Sequence, residues 1–132
     1  MTIRRIVPNL TTKSPESMAE NRGFYGLLGF EEVMRLSTGG AGDPRTPEAW
    51  VMTLASPSNP TAQVSFLTHD ETAPVIPDLS VEVEDVDAVY EQVRASGAEI
   101  VHDLRDEEWG VRRFFVRDPE GRVVNVLGHR GA

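Results

Sequence analysis

The chain contains no cysteine. Disulfide staples, thiol nucleophiles and cysteine-ligated zinc are therefore excluded, and the absence suits a reducing compartment. Lysine is nearly absent too: Lys13 stands alone against twelve arginines. Only one side chain could form a Schiff base, and it lies in a polar stretch where burial is not expected. Positive charge is scarce overall, with 13 basic residues against 21 acidic ones and a net charge of −8. Such a surface repels a phosphate backbone, so nucleic acid and anionic membranes are poor partners. Its long-range field favours a cationic small molecule over an anionic one. No apolar run approaches the roughly 20 residues of a membrane span. The N-terminal Arg4-Arg5 pair precedes too short an apolar stretch for a signal peptide, which makes the cytoplasm the expected location.

What is present fits one globular domain over residues 1–132. Hydrophobic residues make up 39% and charged residues 26%, a balance that does not call for disorder. A chain of this length can bury roughly two-thirds of its surface without staples.

The first half reads as strand, helix and three strands. Ile3 to Thr11 is rich in β-branched residues, and Pro8 makes it short, bulged or an edge. Ser14-Pro15-Glu16 starts a helix with Ser as cap and Pro at the first turn. It should run to Leu28, with Phe24, Leu27 and Leu28 as its buried stripe, joined by Met18, and Gly29 as its stop. Strands are expected over Phe30–Leu36, Ala49–Ala55 and Ala62–Thr68. Residues 37–48, with three glycines and two prolines, are expected to be a mobile loop. Residues 69–77 form a linker.

The second half repeats this order. Asp78, Ser80 and Glu82 alternate with Leu79, Val81 and Val83 along a strand. Asp85 opens a helix through Ala95 with Val86, Val89, Tyr90 and Val93 on one side. Strands follow at Ala98–His102, Val111–Arg117 and Arg122–Leu127, with an acidic loop at 103–110 whose carboxylates are expected to be solvated. Gly29-Phe30-Glu31-Glu32-Val33 aligns with Gly97-Ala98-Glu99-Ile100-Val101, and Pro57 through Gln63 aligns with Pro119 through Asn125. Two copies divide the chain into modules 1–73 and 74–132, a duplication rather than a solenoid.

Phe24-Tyr25 followed by Leu28-Gly29-Phe30, Val83-Glu84-Asp85-Val86-Asp87, Trp109-Gly110 and Asp118-Pro119-Glu120-Gly121 resemble, in this order, the vicinal oxygen chelate superfamily. That group includes glyoxalase I, extradiol dioxygenases and bleomycin-resistance proteins. Pro8-Asn9-Leu10 further resembles the bleomycin-binding branch. The resemblance implies an α+β fold in which two βαβββ modules in tandem form a curved mixed sheet around a shared cavity, with the helices outside. It also implies a homodimer. The superfamily's metal enzymes carry His, Glu or Gln at four strand positions. Here these fall on Ile6 or Val7, Gln63, Asp78 and Asn125. An aliphatic side chain and two neutral amides leave one good ligand, so no metal and no cofactor is expected.

The candidate ligand-binding residues are Asn9, Gln63, Asp78, Glu82, Trp109, Arg113, Phe115 and Asn125. Gln63 and Asn125 occupy matching points of the repeat, where amides could recognise ligand carbonyls or amines. Arg112 and Arg113 cannot share a strand face, and Arg113 is placed with Phe115. His69 and His129 read as surface histidines. His102 shares parity with Ile100 and is either a satisfied histidine or a catalytic one. Trp50 reads as core or dimer interface. The leading expectation is a metal-free small-molecule binding protein, of the kind that sequesters a drug or metabolite. The alternative is a lyase, isomerase or dioxygenase-like enzyme with a divergent site, using Asp78, Glu82 or His102 as general base.

Overall fold

The computed structural model describes residues 2–37 and 49–129. The elements are β1 (Ile3–Thr11), α1 (Pro15–Leu27), β2 (Glu31–Ser37), β3 (Ala49–Ala55), β4 (Gln63–Leu67), β5 (Leu79–Val83), α2 (Val86–Ala95), β6 (Ile100–Asp106), β7 (Val111–Arg117) and β8 (Val123–His129). The glycine- and proline-rich stretch expected to be a loop lies outside the described residues beyond Ser37. The fold class is α+β, and the strands pair both parallel and antiparallel.

The chain divides into two compact units, one of Val7–Glu71 and one of Thr72–Ala132 with the start of β1 through Ile6. The Glu84 N–H donates to the Thr2 carbonyl, which ties the first residues to the second unit. In the first unit the strand order is β2-β3-β4-β1, with β1 parallel to β4 and the other pairs antiparallel. In the second it is β6-β7-β8-β5, with β5 parallel to β8 and the other pairs antiparallel. Each is a βαβββ module whose first strand pairs with its last.

Local chemistry sets the element ends. The Ser14 hydroxyl accepts from the Ser17 N–H at 3.1 Å, and the Asp85 carboxylate accepts from the Ala88 N–H at 3.1 Å. Gly29, at φ 109°, ends the α1 segment in a conformation that a side chain would strain. The Asp118 carboxylate accepts from the Glu120 and Arg122 N–H groups at 2.9 Å each, closing the turn that joins β7 to β8.

Each helix covers one face of its own sheet. In the second unit Val86, Val89, Tyr90 and Val93 of α2 pack on Val81, Val83, Phe114, Val116 and Val126, as the helical spacing predicts. In the first unit the buried cluster is Met18, Ala49, Met52, Leu54, Val64 and Phe66, with Tyr25 and Phe30 against it. This corrects the expected α1 stripe. Phe24, Leu27 and Leu28 are 58%, 85% and 64% exposed. At 100° per residue Tyr25 stands beside Phe24 on the helix, and the sheet takes Met18 and Tyr25, seven residues and nearly two full turns apart.

Two further expectations change. β6 continues through Asp106, so the first half of the acidic stretch is strand and the turn shrinks to four residues. Glu107 in that turn is 1% exposed and not solvated. The repeat also shifts by two residues. Ala55 pairs with Gln63 as Arg117 pairs with Val123, and Thr53 pairs with Ser65 as Phe115 pairs with Asn125. Ser65, not Gln63, is the counterpart of Asn125.

Candidate functional site

The sheet face of the second module turned away from α2 carries its polar chemistry. Alternation along β5 puts Val81 and Val83 under the helix and Ser80 and Glu82 on the other face. Phe114 and Val116 likewise leave Arg113 and Phe115 opposite. The register aligns one row across four strands: His102 with Phe115, Phe115 with Asn125, and Asn125 with Ser80. The next row is Arg105, Arg113, Leu127 and Glu82.

Asn125 is 6% exposed and gives its amide N–H to the Ser80 hydroxyl at 3.1 Å. Its Oδ1 is buried without a hydrogen-bond partner among the described residues. A dry, unmet acceptor costs about 1–3 kcal/mol. Because a hydroxyl can donate or accept, the amide can present either end to an incoming group.

His102 is 8% exposed, and its ring lies 5.0 Å from that of Phe115. Its Nε2 is also buried without a hydrogen-bond partner among the described residues, with Glu107 Oε1 at 3.6 Å. Burial pushes the imidazole below the ordinary histidine range, the positive Arg113 adds to this, and Glu107 opposes it without prevailing. His102 is therefore neutral at neutral pH. A proton binds the unfolded chain more readily than the folded one. The stability this group confers is thus present above the unfolded value of about 6.5 and is lost as pH falls through the lower folded value. His102→Gln should flatten the acid-side decline of stability, measured as urea midpoints stepped downward from pH 7. Identical declines in both proteins would show that the group does not titrate in this way.

Four groups surround Arg113. Its guanidinium donates to Thr72 at 2.9 Å and Glu107 at 3.1 Å, and lies 4.7 Å from the Phe115 ring and 5.0 Å from that of Trp109. Arg112 points to the other face and pairs with Asp87 at 2.9 Å and Asp106 at 3.2 Å. Glu107 further binds Arg105 at 2.7 Å and accepts a hydrogen bond from the Thr72 hydroxyl. This carboxylate was not legible as a site residue within its acidic run.

The other candidates have structural partners. The Asp78 carboxylate accepts from the Val123 N–H at 2.8 Å and fixes the start of the β5–β8 pair. Glu82 pairs with Arg5 and with His129 at 3.2 Å. Asn9 and Gln63 belong to the first module. Asn9 stands opposite Ser65, and the Gln63 amide donates to the Pro60 carbonyl at 2.9 Å. The structure thus gathers Trp109, Arg113, Phe115 and Asn125 on one face and adds His102 and Glu107. In the first module Trp50 is buried with its ring 6.1 Å from His69, and His69 bridges Thr68 and Glu71 near the surface.

Two βαβββ modules, each with its first strand parallel to its last, define the glyoxalase-like class of folds. The model of the Glyoxalase/Bleomycin resistance protein/Dioxygenase superfamily matches residues 11–126, and the chain belongs to that superfamily. No curated protein matches the chain. Among solved structures, methylmalonyl-CoA epimerase from Mycobacterium tuberculosis is similar at TM-score 0.68 and 17% identity, over 96% of this chain and 89% of that one. NAD-dependent benzaldehyde dehydrogenase from Legionella pneumophila gives 0.65 and 14%, over 95% and 99%. A superfamily member from Vibrio splendidus 12B01 gives 0.59 and 19%, over 96% and 99%. At these identities the likeness is one of fold.

The superfamily's metal enzymes raise the question of a divalent ion. By register the four positions supply an aliphatic side chain, the Ser65 hydroxyl, the Asn125 amide and Asp78, whose carboxylate already holds a backbone N–H. Among the described residues no three His, Asp or Glu side chains are grouped to hold an ion. The donor set does not fit a catalytic metal.

Proposed function

We propose that the protein is a metal-free small-molecule binding protein that captures its ligand stoichiometrically. The observation that supports this most directly is the buried Asn125 amide, with one end on Ser80 and the other unmet, beside the Phe115 ring. A ligand group that completes this amide recovers a desolvation cost already present in the empty protein. The narrower form of the reading, sequestration of a drug or metabolite in the manner of bleomycin-resistance proteins, draws on Pro8-Asn9-Leu10 and on a cysteine-free chain suited to the cytoplasm.

Native mass spectrometry of the purified protein tests the proposal: one bound small molecule per chain is expected, with no stoichiometric metal by elemental analysis. Asn125→Leu should weaken that ligand about ten- to a hundredfold, from the 1–3 kcal/mol of an unmatched polar group, while circular dichroism stays unchanged. Full affinity in the variant would put the site elsewhere.

A second reading, an isomerase- or lyase-type enzyme, is favoured by one observation. His102 is buried and neutral, with a carboxylate 3.6 Å from Nε2, as a proton-accepting group would be. Solvent deuterium entering a carbon-bound position of the captured molecule, and absent with His102→Gln, would select this reading.

We also propose a homodimer. Phe24, Leu27 and Leu28 with Val33 at 57% and Met34 at 39% exposure give the first module large apolar side chains in water, the kind of surface that partners cover. Light scattering should give twice 14.6 kDa, and Leu27→Glu should return the mass toward 14.6 kDa. A monomeric mass for the unaltered protein at micromolar concentrations rejects the dimer.

A further inference from the structure

The row His102, Phe115, Asn125, Ser80 selects among ligands, and what it selects rests on the small-molecule reading above. Neighbouring strands lie about 4.8 Å apart, so the backbones of His102 and Asn125 stand about 10 Å apart with Phe115 between them. The row is thus polar, then flat and apolar, then polar. At its two polar ends, His102 Nε2 and Asn125 Oδ1 are buried and make no hydrogen bond among the described residues, with Glu107 Oε1 3.6 Å from Nε2. Both residues are more than nine-tenths buried.

The buried charges beside the row, Arg113 and Glu107, are matched to each other, and Arg105 is 56% exposed to solvent. Arg113 binds Glu107 at 3.1 Å, and Arg105 binds the same carboxylate at 2.7 Å. An ionic ligand would bring a further charge into a buried place, and burying a charge without a counterpart is costly. A cation would also meet the Arg113 guanidinium, 4.7 Å from the ring on which it would stack. The net charge of −8 acts on cations from a distance, but salt screens that field within about 8 Å. Close contacts therefore decide ligand charge here.

We propose that this row is a subsite for a neutral, planar ring that carries hydrogen-bonding groups at opposite ends, one for His102 and one for Asn125, with the Phe115 ring against its face. Phe115 is fully buried, so a covering group moves on entry. Lying against that ring are the Arg113 guanidinium at 4.7 Å and the His102 ring at 5.0 Å.

Three probes of one shape test this: 4-hydroxybenzamide, 4-hydroxybenzamidine as its cationic analogue and 4-hydroxybenzoate as its anionic one. Each is titrated into the full-length protein at pH 7 and followed by NMR at the His102 imidazole and the Asn125 side-chain amide. The neutral probe should move both signals and bind at least tenfold more tightly than either ion. Asn125→Leu and His102→Leu should each weaken it about tenfold. An ion that binds as tightly through the same two signals overturns the neutral-ligand inference and leaves the small-molecule reading standing. Tight binding that moves neither signal overturns the subsite alone. If none of the three moves any signal at millimolar concentration, both the subsite and the small-molecule reading of this face fail.

Discussion

Glu107→Ala should destabilise the protein by about 3–5 kcal/mol, the cost of breaking a buried ion pair by removing one partner. The Glu107 side chain has no solvent exposure, and it gathers Arg105, Arg113 and Thr72 around one carboxylate. Removing it takes the Glu107 counter-ion from the Arg113 guanidinium, which is 5% exposed. Arg105 is 56% exposed, so its own removal should cost less than about 1 kcal/mol. Glu107→Met combined with Arg113→Leu removes both charges together, and it should recover most of the loss because apolar replacement of a buried pair is often neutral. Urea unfolding of the single and double variants measures the coupling directly. A Glu107→Ala loss below 1 kcal/mol would mean that water reaches Arg113 and that the network does not hold the Thr72 segment to the hairpin.

That carboxylate also marks a limit of sequence reading. Asp103, Asp106, Glu107 and Glu108 look alike as a run of charge, and charge patterning alone assigns them all to solvent. Only the register of β6 against β7 shows that the turn folds Glu107 back toward Arg113. The alternation of β5 and the stripe of α2 were legible, because each has one apolar face and no rival. On α1 two apolar stripes compete, and the denser one, Phe24, Leu27 and Leu28, faces outward. Periodicity finds a face but does not say what covers it. The shift of the Asn125 counterpart from Gln63 to Ser65 has a plain cause. The β3–β4 connection is two residues longer than the β7–β8 connection, and aligning Pro57 with Pro119 placed that difference on the wrong side of the turn. On the candidate face, Arg113 and Phe115 follow from strand parity, and Asn125 from its place in the repeat. His102 as an unmet polar end does not, because it depends on which neighbours come within hydrogen-bond reach.

Phe114→Ala should be the other large loss, about 3–5 kcal/mol, typical for deleting a buried aromatic ring. Phe114 has no exposure and sits among Val83, Val86, Val116 and Val126, with Tyr90 edge-on at 5.1 Å. The Tyr90 hydroxyl is fixed by its bond to Asp103 at 2.5 Å, so the neighbour best placed to fall into the vacated space is held at its far end. The cavity should therefore collapse little, which places the cost toward the upper part of that range. A domain of this size is stable by only about 5–15 kcal/mol, so the variant loses a large share of its margin. With a urea slope of about 1–3 kcal/mol per molar, the midpoint should fall by about 2 M. Phe24→Ala supplies the contrast. That ring is 58% exposed on α1, and in the monomeric chain its removal should change stability by about 0.5 kcal/mol or less. Urea midpoints for the two variants, each taken in the Leu27→Glu background that keeps the chain monomeric, give the comparison. Equal losses would mean that the outward stripe of α1 packs as core, and the assignment of Met18 and Tyr25 to the buried side would be overturned.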